Sequence, residues 1–412
     1  MTLAQKAQAL EHDLYERHWW DGQTLQMVIL PPKGRDDFLS GHYEDNSKMT
    51  GCSLAMLAYQ YAATKDPKVR SRGFEALKSM EVMQSISGRE GLLVRGYKPG
   101  SELEPEDALF TKNSYMENDE WHQAGDMRWY GDVSSDCINT AIFGMCLYYD
   151  LAADDVQKEL IGKIVGNMVS YMIDGGMAIL DIDGEMSRWG NYTPDYCTNV
   201  EPLNAAQALF HLKMAYHATG EHKFDEQYYK MIDKHRYHIL AENGKYLPQW
   251  DISHWDDCLL LEALFGLLRL EDDEQLSFHY RRGIELFWSA VKDEGNTLFT
   301  YACGEYTGDT SRHELAKNSL QEMGVDRFVR EVKNSERPDY QDHWPLTNIM
   351  NQDIVRKPFP VNERPHVAYE WRANPYRVDG QLGQTGEMEV SGVDYLVGYW
   401  MGRYLGEIEP DE

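Results

Sequence analysis

The chain has 412 residues, 42% of them hydrophobic, enough for a large buried core in one or two domains. Its 40 Lys and Arg against 68 Asp and Glu leave a net charge of −28, a field that repels nucleic acid and anionic membrane, so neither is an expected partner. Six cysteines over this length, with no CxxC pair among them, make neither a disulfide framework nor a thiolate zinc site.

From the N-terminus onward the pattern is helical. MTLAQKAQALEHDLYERHWW reads as an amphipathic helix and not a signal peptide, which leaves the compartment open between cytoplasm and periplasm. Apolar residues recur at helical spacing over 3–19, 49–64, 67–84, 136–152, 154–174, 203–219, 222–240, 256–270, 273–293, 309–322 and 391–405. Lys65-Asp66-Pro67, Ala152-Ala153-Asp154-Asp155 and Thr219-Gly220-Glu221 read as short turns that fold adjoining helices into antiparallel hairpins. The helices also alternate in character. SLAMLAYQYAA, INTAIFGMCLYYDLA, NAAQALFHLKMAY and CLLLEALFGLLRL are apolar nearly all round, whereas their partners have a wet face. Buried helices inside a ring of amphipathic ones predict an all-α fold, a single-domain α/α toroid over 1–412 with six or seven hairpins.

Short turns lead from each apolar helix to its amphipathic partner, and long segments lead onward to the next apolar helix. All long segments therefore belong at one end of the ring, and they concentrate Trp, Tyr, His, Arg and Asp. Trp121, Trp129, Trp189, Trp250, Trp255 and Trp371 offer flat faces to the C–H side of sugar rings, with polar neighbours for the hydroxyls. In GHYEDNSK, His42 has no local structural role, while Asp45 or Asn46 could cap the helix that follows. In RWYGDVSSD, one of Ser134 and Ser135 is an expected cap, and Asp132 and Asp136 could both face the mouth. Tyr192 could act as a base if an arginine lowered its pKa. His254 and one of Asp256 and Asp257 are expected near the pocket. Arg364, Arg372 and Arg377 concentrate positive charge suited to a sugar carboxylate or sulfate, unless they pair with Glu363, Glu370 and Asp379. No GxSxG, GxxxxGK[ST], GxGxxG or HExxH motif is present. No cofactor or metal is predicted, although His42, His122, His254 and His366 could converge in space.

At the long segments the sequence resembles a known group. GHYEDNSKMTG and RWGNY, set among the hairpins, resemble the six-hairpin glycosidase superfamily, which includes unsaturated glucuronyl hydrolases. RWYGDVSSDCINTAIFGMCLYYDLAADD, DIDGEMSRWGNY, NERPHVAYEWRANPY and GVDYLVGYWMGRYLG more specifically resemble the bacterial oligosaccharide dehydratases of marine ulvan breakdown. This chain departs from that pattern at Cys137 and near His366. The resemblance implies β-elimination at a non-reducing-end uronate to give a 4,5-unsaturated sugar. Such a reaction needs a positive clamp, a base at C5 and an acid at the departing hydroxyl. Arg364 and Arg372 would form the clamp, with Arg128 in reserve; His42, Tyr192 and His254 would supply base and acid. Asp132 and Asp136 would orient them, and Tyr43, His122, Trp129 and Trp189 would contact the sugar. The alternatives are a glycoside hydrolase working through a carboxylate such as Asp136, and a non-catalytic sugar-binding toroid. An oligosaccharide is the expected partner, and the aromatic-rich outer helices are compatible with a homodimer.

Overall fold

The computed structural model describes residues 1–29, 40–41, 45–100, 121–245, 254–340, 346–347, 353–364, 374–380 and 388–412. Helices dominate: α1 (Leu3–Arg17), α2 (Asn46–Thr64), α3 (Pro67–Met83), α4 (Ser135–Leu151), α5 (Asp155–Asp174), α6 (Pro194–Asn199) and α7 (Leu203–Thr219). They continue as α8 (His222–His235), α9 (Tyr237–Glu242), α10 (His254–Leu270), α11 (Glu274–Val291), α12 (Thr297–Thr307), α13 (His313–Glu322) and α14 (Val393–Leu405).

Among the described residues, α2, α4, α7, α10, α12 and α14 form an inner ring, and α1, α3, α5, α8, α11 and α13 an outer one. This is the predicted α/α toroid, with six hairpins. The inner helices are buried along most of their length, as in α2 from Asn46 to Gln60. The outer ones keep a wet face. Their starts carry the expected signals: Thr2 and Asp154 build capping boxes, and Asp66 and Asp273 cap α3 and α11 through side-chain oxygens. The periodic reading missed α12, whose TLFTYACGEYT is short and rich in Thr and Gly. It also ran through the break at Arg236, where a left-handed φ of 59° separates α8 from α9.

Chain polarity sets the rest. Five inner helices lead to their outer partners by short bottom turns, and α14 packs on α1 from the other end of the chain, so all six inner N-termini point to the opposite end. The links from outer to inner helices are long, except that from α11 to α12, which spans Lys292 to Asn296. Small antiparallel sheets grow from these links. Gly96–Pro99, Trp121–Ala124 and Met127–Tyr130 make one sheet with the last strand central, and Ala178–Leu180 pairs with Met186–Asn191. Between α13 and α14, Ile354, Val355, Tyr376 and Val378 form a small separate core. No helix among the described residues is long and apolar enough to cross a membrane.

The tightest seam in the ring joins α2 to α4. A Cβ on Gly144 would lie 2.0 Å from the Gly51 carbonyl oxygen, and one on Gly51 would lie 2.3 Å from that of Thr140. Gly51→Ala and Gly144→Ala should each lower unfolding stability by about 1–3 kcal/mol in thermal or urea unfolding. Because both press on one seam, the double variant should cost less than the sum.

Candidate active site

At the mouth lies a cavity of about 370 Å³, lined by residues from four inner-helix starts and the links before them. Asp45, Asp136, Glu201 and Asp256 give it four carboxylates, against the single guanidinium of Arg95. Trp189, Trp255 and Tyr196 give it aromatic faces, and Asn204, Ser134 and Ser135 neutral hydrogen-bonding groups. Trp189, on the strand Met186–Asn191, is 48% exposed and stands open at the rim.

Local folding explains these placements. Ser134 caps α4 by accepting from the Cys137 amide at 3.4 Å, which sets Asp136 in the first turn. Asp45 occupies the cap position of α2, yet its side chain makes no cap bond. Its carboxylate instead takes the Lys48 ammonium at 2.6 Å and Arg95 Nη1 at 3.4 Å, with Cys137 Sγ at 3.8 Å. Arg95 is itself buried and fixed by donating from Nε to the Asp132 carbonyl at 2.7 Å. Two cations around one carboxylate favour its charged form.

Beneath the cavity a polar floor ties three inner helices together. Glu262 of α10 accepts from Asn139 Nδ2 at 3.0 Å and Thr140 Oγ1 at 2.8 Å, both on α4, and from Cys258 Sγ at 3.3 Å. Asn139 Oδ1 lies 3.2 Å from Nε2 of His211 on α7, whose pKa burial pulls down to about 3. These groups hold helix register and are closed to solvent.

Of the residues singled out in the sequence, Asp136, Trp189, Trp255 and Asp256 line the cavity, and Asp45 reaches it as more than a cap. Others go elsewhere. Tyr192 is fully enclosed, its ring edge-on to His211, and burial followed by the nearby Asp136 charge holds its pKa well above the ordinary value. Among the described residues no arginine lowers it, so the condition under which Tyr192 could act as a base is not met there. His254 is also enclosed: its Nε2 sits 2.9 Å from Glu294 and 3.9 Å from Asp257, which itself pairs with Lys245 at 2.8 Å. Arg364 turns away from any substrate anion, giving Nε to the Phe359 carbonyl at 2.8 Å and another donor to that of Glu294. Glu363 pairs with Arg337 rather than with Arg364.

Asp132 is a turn residue with a φ of 46°; its carboxylate accepts from the Arg188 amide at 2.8 Å, and its own amide donates to Asp181 at 2.6 Å. His122 stacks on the buried Trp129 with ring centroids 4.3 Å apart, and Arg128 lies 5.6 Å over the Trp121 ring. None of these four lines the cavity. His42, Tyr43, Trp250, His366, Trp371 and Arg372 lie outside the described residues. Among the described residues no group of three or more His, Cys, Asp or Glu could hold a metal ion. Sequence reading missed Arg95, Tyr196, Glu201 and Asn204; Arg95 had a usable signal, since it follows the apolar run GLLV inside the long segment between α3 and α4.

His254 makes a testable element. Burial alone would lower its pKa, but Glu294, by charge and hydrogen bond, and then Asp257 outweigh this and raise it above 6.5. A raised pKa means that the stability from charged His254 is complete below that ordinary value and is lost as pH rises through the raised one. Glu294→Gln should therefore cost about 3–5 kcal/mol in mildly acidic urea unfolding. The gap to the unsubstituted protein should narrow as pH is raised.

No known family profile matches the chain, and no curated protein matches it. Solved structures do. A family 76 glycoside hydrolase from a bovine Bacteroides thetaiotaomicron strain aligns over 99% of this chain and 78% of its own, with a TM-score of 0.51 at 9% identity. A sugar epimerase from a ruminal bacterium aligns over 99% of this chain and all of its own, at 11% identity and a TM-score of 0.45. An endoglucanase from Clostridium thermocellum, complexed with cellobiose and cellotriose, aligns over 97% of this chain and 70% of its own, at 13% identity and 0.45. The first of these likenesses is one of fold, the α/α toroid.

Proposed function

We propose that the protein is a carbohydrate-active enzyme that hydrolyses a glycosidic bond of an oligosaccharide bound at the mouth of the toroid. One observation carries the reading: four carboxylates and two indole faces share a single cavity. Glycoside hydrolysis needs a carboxylic acid to protonate the departing oxygen and a second, charged carboxylate to stabilise the sugar cation or activate water. We assign the first role to Asp136. Asp45, between Lys48 and Arg95, takes the charged role. Trp189 and Trp255 form the platform for the sugar rings. Among the described lining residues a sugar carboxylate would meet Asp45, Glu201 and Asp256 beside the Arg95 guanidinium, which favours an uncharged ring at the reacting position.

The second reading is β-elimination at a uronate, favoured by Arg95 in the cavity wall and by the likeness of 128–155 and 181–192 to oligosaccharide dehydratases. It is the weaker fit, since Tyr192 and His254 are enclosed and Arg364 is bound to backbone carbonyls. One experiment separates the two. Neutral and uronate-ended oligosaccharides are incubated with the protein while new reducing ends and the ultraviolet absorbance of a conjugated uronate are followed together. Reducing ends without a rise in absorbance support hydrolysis. A rise without new reducing ends overturns it in favour of elimination.

Under the hydrolytic reading, Asp136→Asn should lower kcat by about 10²–10⁴-fold. Trp189→Ala should raise KM several-fold with kcat little changed, because that indole contacts ground and transition states alike.

A further inference from the structure

Lys48 stands in the first turn of α2 and is 1% exposed. An ammonium so enclosed is costly unless its partners compensate, and an apolar side chain of similar volume would serve packing as well or better. Its partners are unusual. Nζ is 2.6 Å from Asp45 Oδ2 and 4.2 Å from the centroid of the Trp255 indole. Both partners line the cavity, while Lys48 does not. They belong to opposite sides of the site: Asp45 precedes α2, and Trp255 sits in the first turn of α10. The two helices are held apart by α4, which packs on both.

We propose that Lys48 is a positioning residue that locks the charged carboxylate and the sugar platform into one unit. This inference rests on the hydrolytic reading for its functional meaning. The ammonium attracts the electron-rich face of the indole and occupies it, so a sugar ring stacking on Trp255 would have to use the other face. The same ammonium fixes the Asp45 carboxylate relative to that platform. A ring stacked on Trp255 is thereby registered against Asp45. Arg95 and Cys137 also face Asp45, whose fellow cavity carboxylates are Asp136, Glu201 and Asp256. Lys48 touches both Asp45 and the platform.

Lys48→Met fills the same space without charge, and Lys48→Arg keeps the charge with different reach. Two readouts need no substrate. Carbon-13 NMR of Asp-labelled protein, with Asp45 assigned through Asp45→Asn, follows the titration of its carboxylate. Tryptophan emission, with Trp255 assigned through Trp255→Phe, follows the indole. In Lys48→Met the Asp45 titration should move up by about 1–3 pH units, and the Trp255 emission should change; Lys48→Arg should restore most of the first. On any oligosaccharide the protein hydrolyses, Lys48→Met should lower kcat on the order of a hundredfold, with the acid limb of the pH profile moved upward. Lys48→Gln gives the same reading if circular dichroism shows that Met packs poorly. An Asp45 titration and a Trp255 emission unchanged in both neutral variants would overturn the proposal. Absence of hydrolysis by the unsubstituted protein would overturn the functional reading alone, since the spectroscopic arms stand without it.

Discussion

The common direction of the six inner helices is the constraint on which the structure depends. Five of them return to an outer partner by a turn of a few residues and cannot reverse without lengthening that turn, and α14 is held in line by packing on α1. Six N-termini consequently open at one end, where their unpaired amides and dipoles favour negative groups. The carboxylates follow: Asp45 before α2, Asp136 in the first turn of α4, Asp256 and Asp257 in that of α10, and Asp394 in that of α14. At this end of the ring the placement of acids accords with helix polarity.

Placement alone does not make a reactive group, and the mouth sorts its acids by partner. Asp394 is neutralised by Arg327 at 2.5 Å, and Asp257 by Lys245 with His254 close by. These pairs brace the ring where the inner helices begin. Asp136, Glu201 and Asp256 line the cavity, as does Asp45, which is tied to Lys48 and Arg95. A carboxylate so held loses rotamer freedom before a substrate arrives, which is the essence of preorganisation.

How much of this was legible in the sequence depended on distance along the chain. Helices and their alternation are local, so periodicity found nearly all of them; α12 escaped because Thr, Gly and aromatic residues weaken its pattern, and because its short link from α11 hid the hairpin boundary. The end of the ring that carries the site followed from loop lengths. Within the site, Asp136 and Trp189 were legible because each sits beside a recognisable turn. For Tyr192 and His254 residue type suggested chemistry, whereas their burial depends on partners well away along the chain: Tyr192 against His211, His254 against Glu294. Asp45 carried a local explanation, helix capping, that the Lys48 and Arg95 contacts displace.

The ring is closed without a covalent bond. Where its ends meet, the Ala4 amide donates to the Glu412 carbonyl at 3.3 Å and the Tyr395 hydroxyl to that of Leu3 at 2.9 Å. Lys6 reaches across to the carbonyls of Leu320 at 3.4 Å and Met323 at 2.9 Å at the end of α13. The first helix is thereby held against the end of α13 and against α14 by contacts of the kind that join neighbouring hairpins elsewhere, so the ring is sealed at this seam by packing and hydrogen bonds between segments hundreds of residues apart.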